Sequence, residues 1–206
     1  METKVFSLCR NNTKVQLNMT KLNKIAVVQT GVYLKPSPGA NTLYLQINGF
    51  DNNGYLYPKQ EPSILLDDPN NKYFLKEGDL LFSAKGANNF CTIFHTQKYN
   101  AVASSSFLII RIRDKKRILP DYLCWFFNRQ TTLQYLTSNA KGTSIPSISK
   151  STVEELNIPI LPVDKQEKII AIAKLQKTEE RLYKKIIRKR EQLAEYKLKN
   201  IISNGN

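Results

Sequence analysis

The chain has 206 residues, of which 41% are hydrophobic, and it contains ten tyrosines, nine phenylalanines and one tryptophan. This length suits one domain of roughly 150 residues with an appendage. The apolar content is sufficient for a packed core and excludes a chain that is disordered throughout. Thirty-one lysines and arginines against 17 aspartates and glutamates give a net charge of +14, which favours a polyanionic partner, either nucleic acid or an anionic membrane surface.

The apolar runs, such as Phe107–Ile110, are much shorter than the ~20 residues that a membrane-spanning helix requires. The polar N-terminal residues do not contain the apolar core of a signal peptide. Cys9, Cys91 and Cys124 are few, odd in number and widely spaced. They predict buried thiols in a reduced, cytoplasmic protein, with no disulfide framework and no metal site.

In chain order, polar residues 1–21 predict a loosely held N-terminal arm, and residues 22–162 predict a single α+β domain. We expect a mixed, twisted β-sheet with packed helices in this domain. Alternating or short apolar runs predict strands over Thr42–Ile47, Asp79–Ser83 and Ser106–Arg113, with turn residues between them.

The second part of the domain predicts a helix, a loop and a last strand. Pro120 is suited to the first turn of a helix, because the N–H that proline lacks would be unpaired there. Residues 137–150 predict a loop. Leu156–Leu161 predicts a strand, and its Pro159 places that strand at a sheet edge, because proline cannot donate to a ladder.

Residues 163–202 predict one long helix, with Asp164 and Glu167 at the spacing of a capping box. At 1.5 Å per residue this helix is about 55 Å long, so much of it extends beyond its own domain. Its apolar residues follow alternating steps of three and four, which predicts a coiled-coil dimerisation seam. The seam residues are Ile172, Leu175, Leu182, Ile186, Leu193 and Tyr196.

Two features complicate this helix. Glu179 and Lys189 interrupt the seam, which favours a two-helix contact supported by other surfaces over a free-standing zipper. Five basic residues also fall within the segment Lys184–Arg190, where a solvated charged face and a contact with a partner or with phosphate remain equal alternatives.

The sequence does not predict a catalytic centre, a cofactor site or a metal site in this chain. It lacks a P-loop, the glycine-rich cofactor loop of methyltransferases and their Asn/Asp-Pro-Pro-aromatic motif. Its single histidine, His95, has no acidic or thiol residue nearby in the sequence pattern. Asp79 with Asp114 is the nearest approach to a magnesium-dependent nuclease, and this signal is weak.

Three segments each combine glycine, a hydroxyl or amide side chain, and a lysine: Gln29–Lys35, Ser83–Asn89 and Lys141–Ser144. Glycine allows close approach to a phosphate, lysine neutralises it, and amides and hydroxyls can pair with base edges. Together with the net charge, these loops predict a DNA-binding surface. Its predicted residues are Thr30, Tyr33, Lys35, Lys85, Asn88, Asn89, Lys141, Thr143 and Ser144.

Five segments, in their order and spacing, resemble the target-recognition domains of type I restriction–modification specificity subunits. These segments are Leu22–Gly31, Tyr44–Asn48, Glu77–Gly86, Leu119–Asn128 and Gly142–Ser149. They are followed by Leu156–Pro162 and Gln166–Ile169, which resemble the entry into the long helix of that family. The resemblance covers roughly residues 22–200.

The resemblance implies a non-catalytic subunit that recognises double-stranded DNA and directs methyltransferase subunits, and in some systems restriction subunits, to a bipartite site. It places S-adenosylmethionine in the partner methyltransferase. Typical members have two recognition domains, held apart by two antiparallel helices. This chain has one of each, so it is either a natural half-subunit or a fragment of a longer protein. Its unpaired seam predicts a homodimer.

Two alternatives remain open from the sequence. One is a basic coiled-coil adaptor that binds nucleic acid or an acidic protein without reading a sequence. The other is a small nuclease that uses Asp79 and Asp114. The target sequence, the spacer length and the base that a partner would methylate are not determined by these patterns.

Overall fold

A computed structural model of the chain describes residues 18–51, 53–68, 71–86, 88–142 and 146–203. These residues form eight strands and five α-helices. The strands are β1 Asn18–Lys21, β2 Ala26–Thr30, β3 Thr42–Leu45, β4 Leu80–Ser83, β5 Cys91–Ile93, β6 Asn100–Ala103, β7 Phe107–Ile112 and β8 Asn157–Ile160. The helices are α1 Leu22–Ile25, α2 Pro120–Phe127, α3 Gln130–Ser138, α4 Lys150–Glu154 and α5 Val163–Ser203.

The central sheet has the strand order β2-β7-β4-β5, and each neighbouring pair is antiparallel. Two small sheets accompany it: β3 pairs in parallel with β6, and β1 pairs antiparallel with β8. The α+β class with a long C-terminal helix is therefore as predicted. Within the described ranges, β8 has a single partner strand, as expected for a strand that contains Pro159.

The central sheet separates two apolar cores, because successive side chains of a strand point to opposite faces. On β7, Leu108 and Ile110 enter the helix-side core, which also contains residues of α2 and β8. Phe107 and Ile109 enter the strand-side core, which contains residues of β3 and β6. Both faces of β7 are thus covered, which explains why its sequence is almost continuously apolar.

The N-terminal prediction is corrected in part. Asn18–Lys21 is not a loose arm, because it forms β1 and pairs residue by residue with β8. The side chains of Lys21 and Glu155 also form an ion pair, which ties the same segment to the end of α4. Residues 1–17 lie outside the described part of the chain.

The helix predicted from Pro120 is two helices rather than one. α2 ends at Phe127, and Arg129 has an extended backbone before α3 begins. Asn128 accounts for the break, since its side chain accepts a hydrogen bond from the Cys91 N–H (2.9 Å) and donates to the Cys91 carbonyl (2.7 Å). The loop predicted over residues 137–150 is consequently shorter, because α3 continues to Ser138.

The long helix is confirmed, and α5 spans 41 residues, or about 62 Å at 1.5 Å per residue. It begins two residues earlier than the capping box predicted. The Pro162 carbonyl accepts hydrogen bonds from the N–H groups of Lys165 and Gln166, in the first turn. Asp164 therefore lies inside the first turn, where it faces Lys168 at 3.9 Å instead of capping the helix.

One buried amide fixes the start of α5 on the domain. Gln166 is fully buried, and its Oε1 accepts from the Leu119 N–H at 3.0 Å. Its Nε2 donates to the carbonyls of Arg117 (2.9 Å) and Leu161 (2.8 Å). Two of these hydrogen bonds, to Leu119 and Arg117, hold the first turn of the helix against the segment that leads into α2, and the third, to Leu161, ties it to the residues just before α5.

Farther along, α5 passes beside α2 and then leaves the domain. Lys174 lies 2.9 Å from Asp121, and the Lys177 ammonium lies 5.5 Å from the centre of the Tyr55 ring. Every residue from Lys174 to Ser203 is exposed. No helix in the described part of the chain is long and apolar enough to cross a bilayer.

Replacing Arg111 with methionine is expected to lower the free energy of unfolding by about 3 kcal/mol, because it leaves the buried Asp79 carboxylate without its charge partner. Arg111 donates to Asp79 at 2.8 and 2.5 Å, and the Asp79 side chain is 1% exposed. Urea denaturation measures the change. Arg113→Met is the matched control, because Arg113 lies two residues away and is exposed. Equal losses in the two variants would contradict this role.

Candidate nucleic-acid interface

The register of the central sheet brings the first two predicted loops to one end of the sheet. Thr30, the last residue of β2, lies opposite Leu108 on β7. Phe82 on β4 lies opposite the same Leu108 from the other side, and Ser83 ends that strand. The loops after β2 and β4 are therefore separated by two strand spacings, about 10 Å.

The second and third predicted loops contact each other through Ser147. Isolated β-bridges join Ser147 to both Lys85 and Lys141. The Lys141 N–H donates to the Ser147 carbonyl (3.0 Å), and the Ser147 N–H donates to the Lys141 carbonyl (2.8 Å). Both lysines are exposed. Lys85 and Lys141, 56 positions apart in sequence, are thus adjacent in the fold, with their backbones on either side of Ser147.

Asn88 and Asn89 lie beside these lysines, in different environments. Asn88 is exposed, whereas Asn89 is half-buried and its Nδ2 donates to the Ser83 carbonyl at 2.8 Å. The Ser83 hydroxyl accepts from the Phe90 N–H at 2.7 Å and so closes the same turn. Part of the hydrogen-bonding capacity of Asn89 therefore maintains the loop.

The same two asparagines line a cavity of about 380 Å³ with residues that sequence reasoning missed. These residues lie on α3: Gln130, Gln134 and Thr137. The sequence predicted this segment as a continuation of α2, and the few apolar residues of α3 gave no reason to assign it to the interface. No pattern local to α3 places it beside the loop after β4, since that proximity depends on the tertiary fold.

In the first loop, Thr30, Tyr33 and Lys35 are exposed, and Tyr33 is 74% exposed. Gly31 is needed for packing rather than for approach to a phosphate. A Cβ on Gly31 would lie 2.5 Å from the Ala103 carbonyl oxygen and still closer to that of Ser104. Gly86, in the second loop, has φ +93° with open space around it. Glycine is therefore favoured there by the backbone conformation and not by close packing.

Thr143 and Ser144 lie outside the described residues, and their contribution to DNA binding stays a prediction. Lys141, just before them, has the position given above. The predicted surface therefore consists, in the described chain, of the exposed loop residues after β2 together with the Lys85–Lys141 pair and the two asparagines.

The two aspartates of the nuclease alternative are occupied by protein groups. Both Asp79 oxygens accept hydrogen bonds from Arg111, and one also accepts from the Lys76 N–H at 2.8 Å. An Asp114 oxygen accepts from the Lys116 N–H at 2.9 Å. Among residues 18–203, apart from the gaps given above, no group of three or more His, Cys, Asp or Glu side chains is placed to hold a metal ion.

The expectation that His95 has no acidic partner is wrong. Its Nδ1 lies 2.9 Å from a Glu77 oxygen, and the Thr96 N–H donates to the other Glu77 oxygen at 2.6 Å. Two hydrogen bonds lower the pKa of Glu77 to about 2: the bond from the Thr96 N–H has the larger effect, and the bond with the His95 side chain the smaller. Glu77 precedes β4, and His95 and Thr96 follow β5, at the end of the sheet away from the predicted loops, so these residues do not belong to the interface.

The two cysteines of the described chain are free, and the prediction that they are buried is confirmed for Cys91 but not for Cys124, which is half-buried. Cys91 is buried, and its burial raises the pKa of its thiol. The Cys124 thiol donates to the Cys91 carbonyl at 3.3 Å. A separate interaction, a hydrogen bond with the Cys91 side chain, lowers the pKa of the Cys124 thiol. Cys9 lies outside the described residues.

Comparison with known proteins identifies relatives of this chain. A curated relative, the type I restriction enzyme MjaVIII specificity subunit of Methanocaldococcus jannaschii, is 30% identical over 103 residues, which are 50% of this chain and 23% of that protein. The chain therefore matches under a quarter of that relative's length.

Solved structures share the fold. The S subunit of a type I restriction-modification system from M. genitalium superimposes with a TM-score of 0.54 at 15% identity, over 81% of this chain and 40% of that chain. The HsdS subunit of Thermoanaerobacter tengcongensis gives 0.56 at 14% identity, over 82% and 39%. A structure describing complex assembly and conformational transition of the type I R-M system gives 0.58 at 16% identity, over 82% and 40%.

The family match extends beyond the recognition domain into the long helix. The model of the type I restriction modification DNA specificity domain matches residues 20–192, which include both the central sheet and most of α5. With one domain and one long helix, the chain spans about two fifths of each solved chain it resembles. This chain belongs to the type I restriction modification DNA specificity domain family.

Proposed function

We propose that this chain recognises a DNA sequence as the specificity component of a type I restriction–modification system. In this role it directs methyltransferase subunits, and restriction subunits where a system has them, to a bipartite site in cytoplasmic DNA. S-adenosylmethionine is bound by the methyltransferase partner, and this chain supplies no catalytic group. The observation that carries the proposal is the placement of Lys85 and Lys141 on either side of Ser147, at the same end of the sheet as the loop after β2.

The chemistry of this end of the domain suits a DNA duplex. Exposed lysines neutralise phosphates and release counterions, which supplies affinity that decreases with salt. Exposed amide, hydroxyl and phenol groups beside them can reach base edges, where sequence is read. The overall charge of +14 adds long-range attraction to DNA.

The long helix has a separate role in the proposal. Its first turn is held at Arg117 and Leu119, which follow the end of β7, whereas the predicted loops lie near the start of β7. A second copy of the chain can pair with the exposed seam of α5 and hold two recognition domains apart, so that each contacts one half of a bipartite site. A methyltransferase subunit would bind this assembly.

The alternative of a basic adaptor without sequence recognition is less well supported. It accounts for the charge of α5 but not for family membership that includes the whole sheet domain. It also leaves the loop cluster at the end of the sheet without a role. Selection of bound duplexes from a random pool distinguishes the two functions, because the adaptor would select no sequence.

Replacing Lys85 or Lys141 with alanine is expected to weaken DNA binding on all sequences and to reduce the slope of log K against log salt by about 0.9 per lysine. The reason is the loss of one phosphate contact without loss of a base contact. Fluorescence anisotropy at several salt concentrations measures both quantities. Lys98→Ala serves as control, since Lys98 is exposed and follows β5 at the other end of the sheet. A slope that is unchanged in both lysine variants would contradict the proposed interface.

Replacing Leu193 with glutamine is expected to raise the dissociation constant of the homodimer about a hundredfold, because two copies of an apolar seam residue are lost at once. Leu193 is 53% exposed in the single chain, so another helix is free to cover it. Leu198→Gln is the matched control: Leu198 is 60% exposed and lies on the opposite face of the same helix. Sedimentation velocity measures the dimer. A wild-type chain that stays monomeric at high micromolar concentration would count against the pairing.

A further inference from the structure

We propose that α3 is the base-recognition helix of this domain: it enters the major groove of a DNA duplex, where the amides of Gln130 and Gln134 recognise adenines. This inference rests on the proposed DNA-recognition function and deepens it, since it names the element and the two side chains that determine sequence specificity. Neither residue is among those predicted from the sequence.

The solvent-exposed face of α3 carries no charged residue. Its exposed side chains are Gln130, Thr131, Gln134, Tyr135, Thr137 and Ser138. By contrast, the exposed surface of α5 is dense in lysine, arginine and glutamate. Base edges carry neutral donors and acceptors, so a neutral amide and hydroxyl face can pair with them without the cost of desolvating a charge.

The two glutamines have unused hydrogen-bonding capacity. The hydroxyls of Thr137 and Ser138 donate to carbonyls of their own helix, at 2.9 Å in each case. The Asn128 amide is engaged with Cys91, as described above. The side chains of Gln130 and Gln134 make no hydrogen bond to any described residue, and their i,i+4 spacing places them on the same side of α3.

Cations lie at both ends of the helix. Arg129 precedes α3 directly and is exposed, with its guanidinium 5.4 Å from the centre of the Trp125 ring. Lys141 follows three residues after the helix, and Ser147 links it to Lys85. A nine-residue helix is about 13.5 Å long, close to the major-groove width of about 12 Å. Arg129 and Lys141 therefore flank α3 in the chain, where they are available to contact the phosphates that border the groove.

The chemistry of the side chain points to adenine. A glutamine amide donates one hydrogen bond to N7 of adenine and accepts one from its N6 amino group, a pairing that no other base offers in the major groove. Asn88, on the far side of the cavity, borders the same surface. Two glutamines one helical turn apart therefore predict two adenines within one half-site.

Selection of duplexes from a random pool by the full chain tests this directly. Wild type is expected to select a motif with at least two adenine positions. Gln130→Ala and Gln134→Ala are each expected to lose the adenine preference at one of these positions by about tenfold or more. Affinity for random duplexes should stay unchanged, because the cations remain. Gln97→Ala is the matched control: Gln97 is exposed and belongs to the turn after β5, at the other end of the sheet.

Substitution of 7-deazaadenine, which lacks the N7 acceptor, at each selected adenine identifies the partner of each glutamine. Wild type should lose affinity about tenfold at the contacted position, and the corresponding glutamine variant should be insensitive there. A selected motif that neither glutamine variant changes would overturn the inference and leave the proposed function intact, provided that Lys85→Ala still weakens binding. A wild-type chain that selects no motif would overturn both.

Discussion

The antiparallel register of β7 with β2 and β4 is the constraint on which the proposed interface depends. Leu108 lies between Thr30 and Phe82, so the loops that follow those two strands leave the sheet at the same end. A shift of one residue would reverse the faces of β7 and exchange Ile109 with Ile110 between the two cores. Because burial of alternating apolar side chains on both faces opposes that shift, core packing also fixes the position of the loops predicted to contact DNA.

A second constraint separates recognition from assembly. The buried amide of Gln166 fixes the first turn of α5, and the contacts of Lys174 and Lys177 guide the helix past α2. Beyond these contacts every residue of the helix as far as Ser203 is exposed. The apolar residues of its seam, such as Leu182 and Ile186, are about half exposed at 51% and 52%, so a partner helix would bury them without disturbing the sheet.

Much of this organisation follows from local patterns in the sequence. The apolar run of β7, the proline at the start of α2 and the heptad steps of α5 each identify an element, because their signals lie within one segment. The adjacency of Lys85, Lys141 and Ser147 does not follow from such patterns, since it depends on contacts distant in sequence. The place of α3 at the proposed interface was missed for the same reason: its exposed face is polar, and only the tertiary fold shows that it lies beside the loop after β4. Gly31 was interpreted as a phosphate-contacting glycine, whereas its backbone packing requires the absence of a side chain.

The most direct test of this account is photo-crosslinking with the selected duplex, in which each thymine in turn is replaced by 5-iodouracil. The iodine occupies the position of the thymine methyl group in the major groove, where it reacts with a nearby aromatic side chain. The account predicts an adduct with Tyr135, which lies on the exposed face of α3 and is 49% exposed. Adducts confined to Tyr55 beside α5, or to Tyr183 and Tyr196 on α5 itself, would contradict it, because they would place the duplex along the long helix.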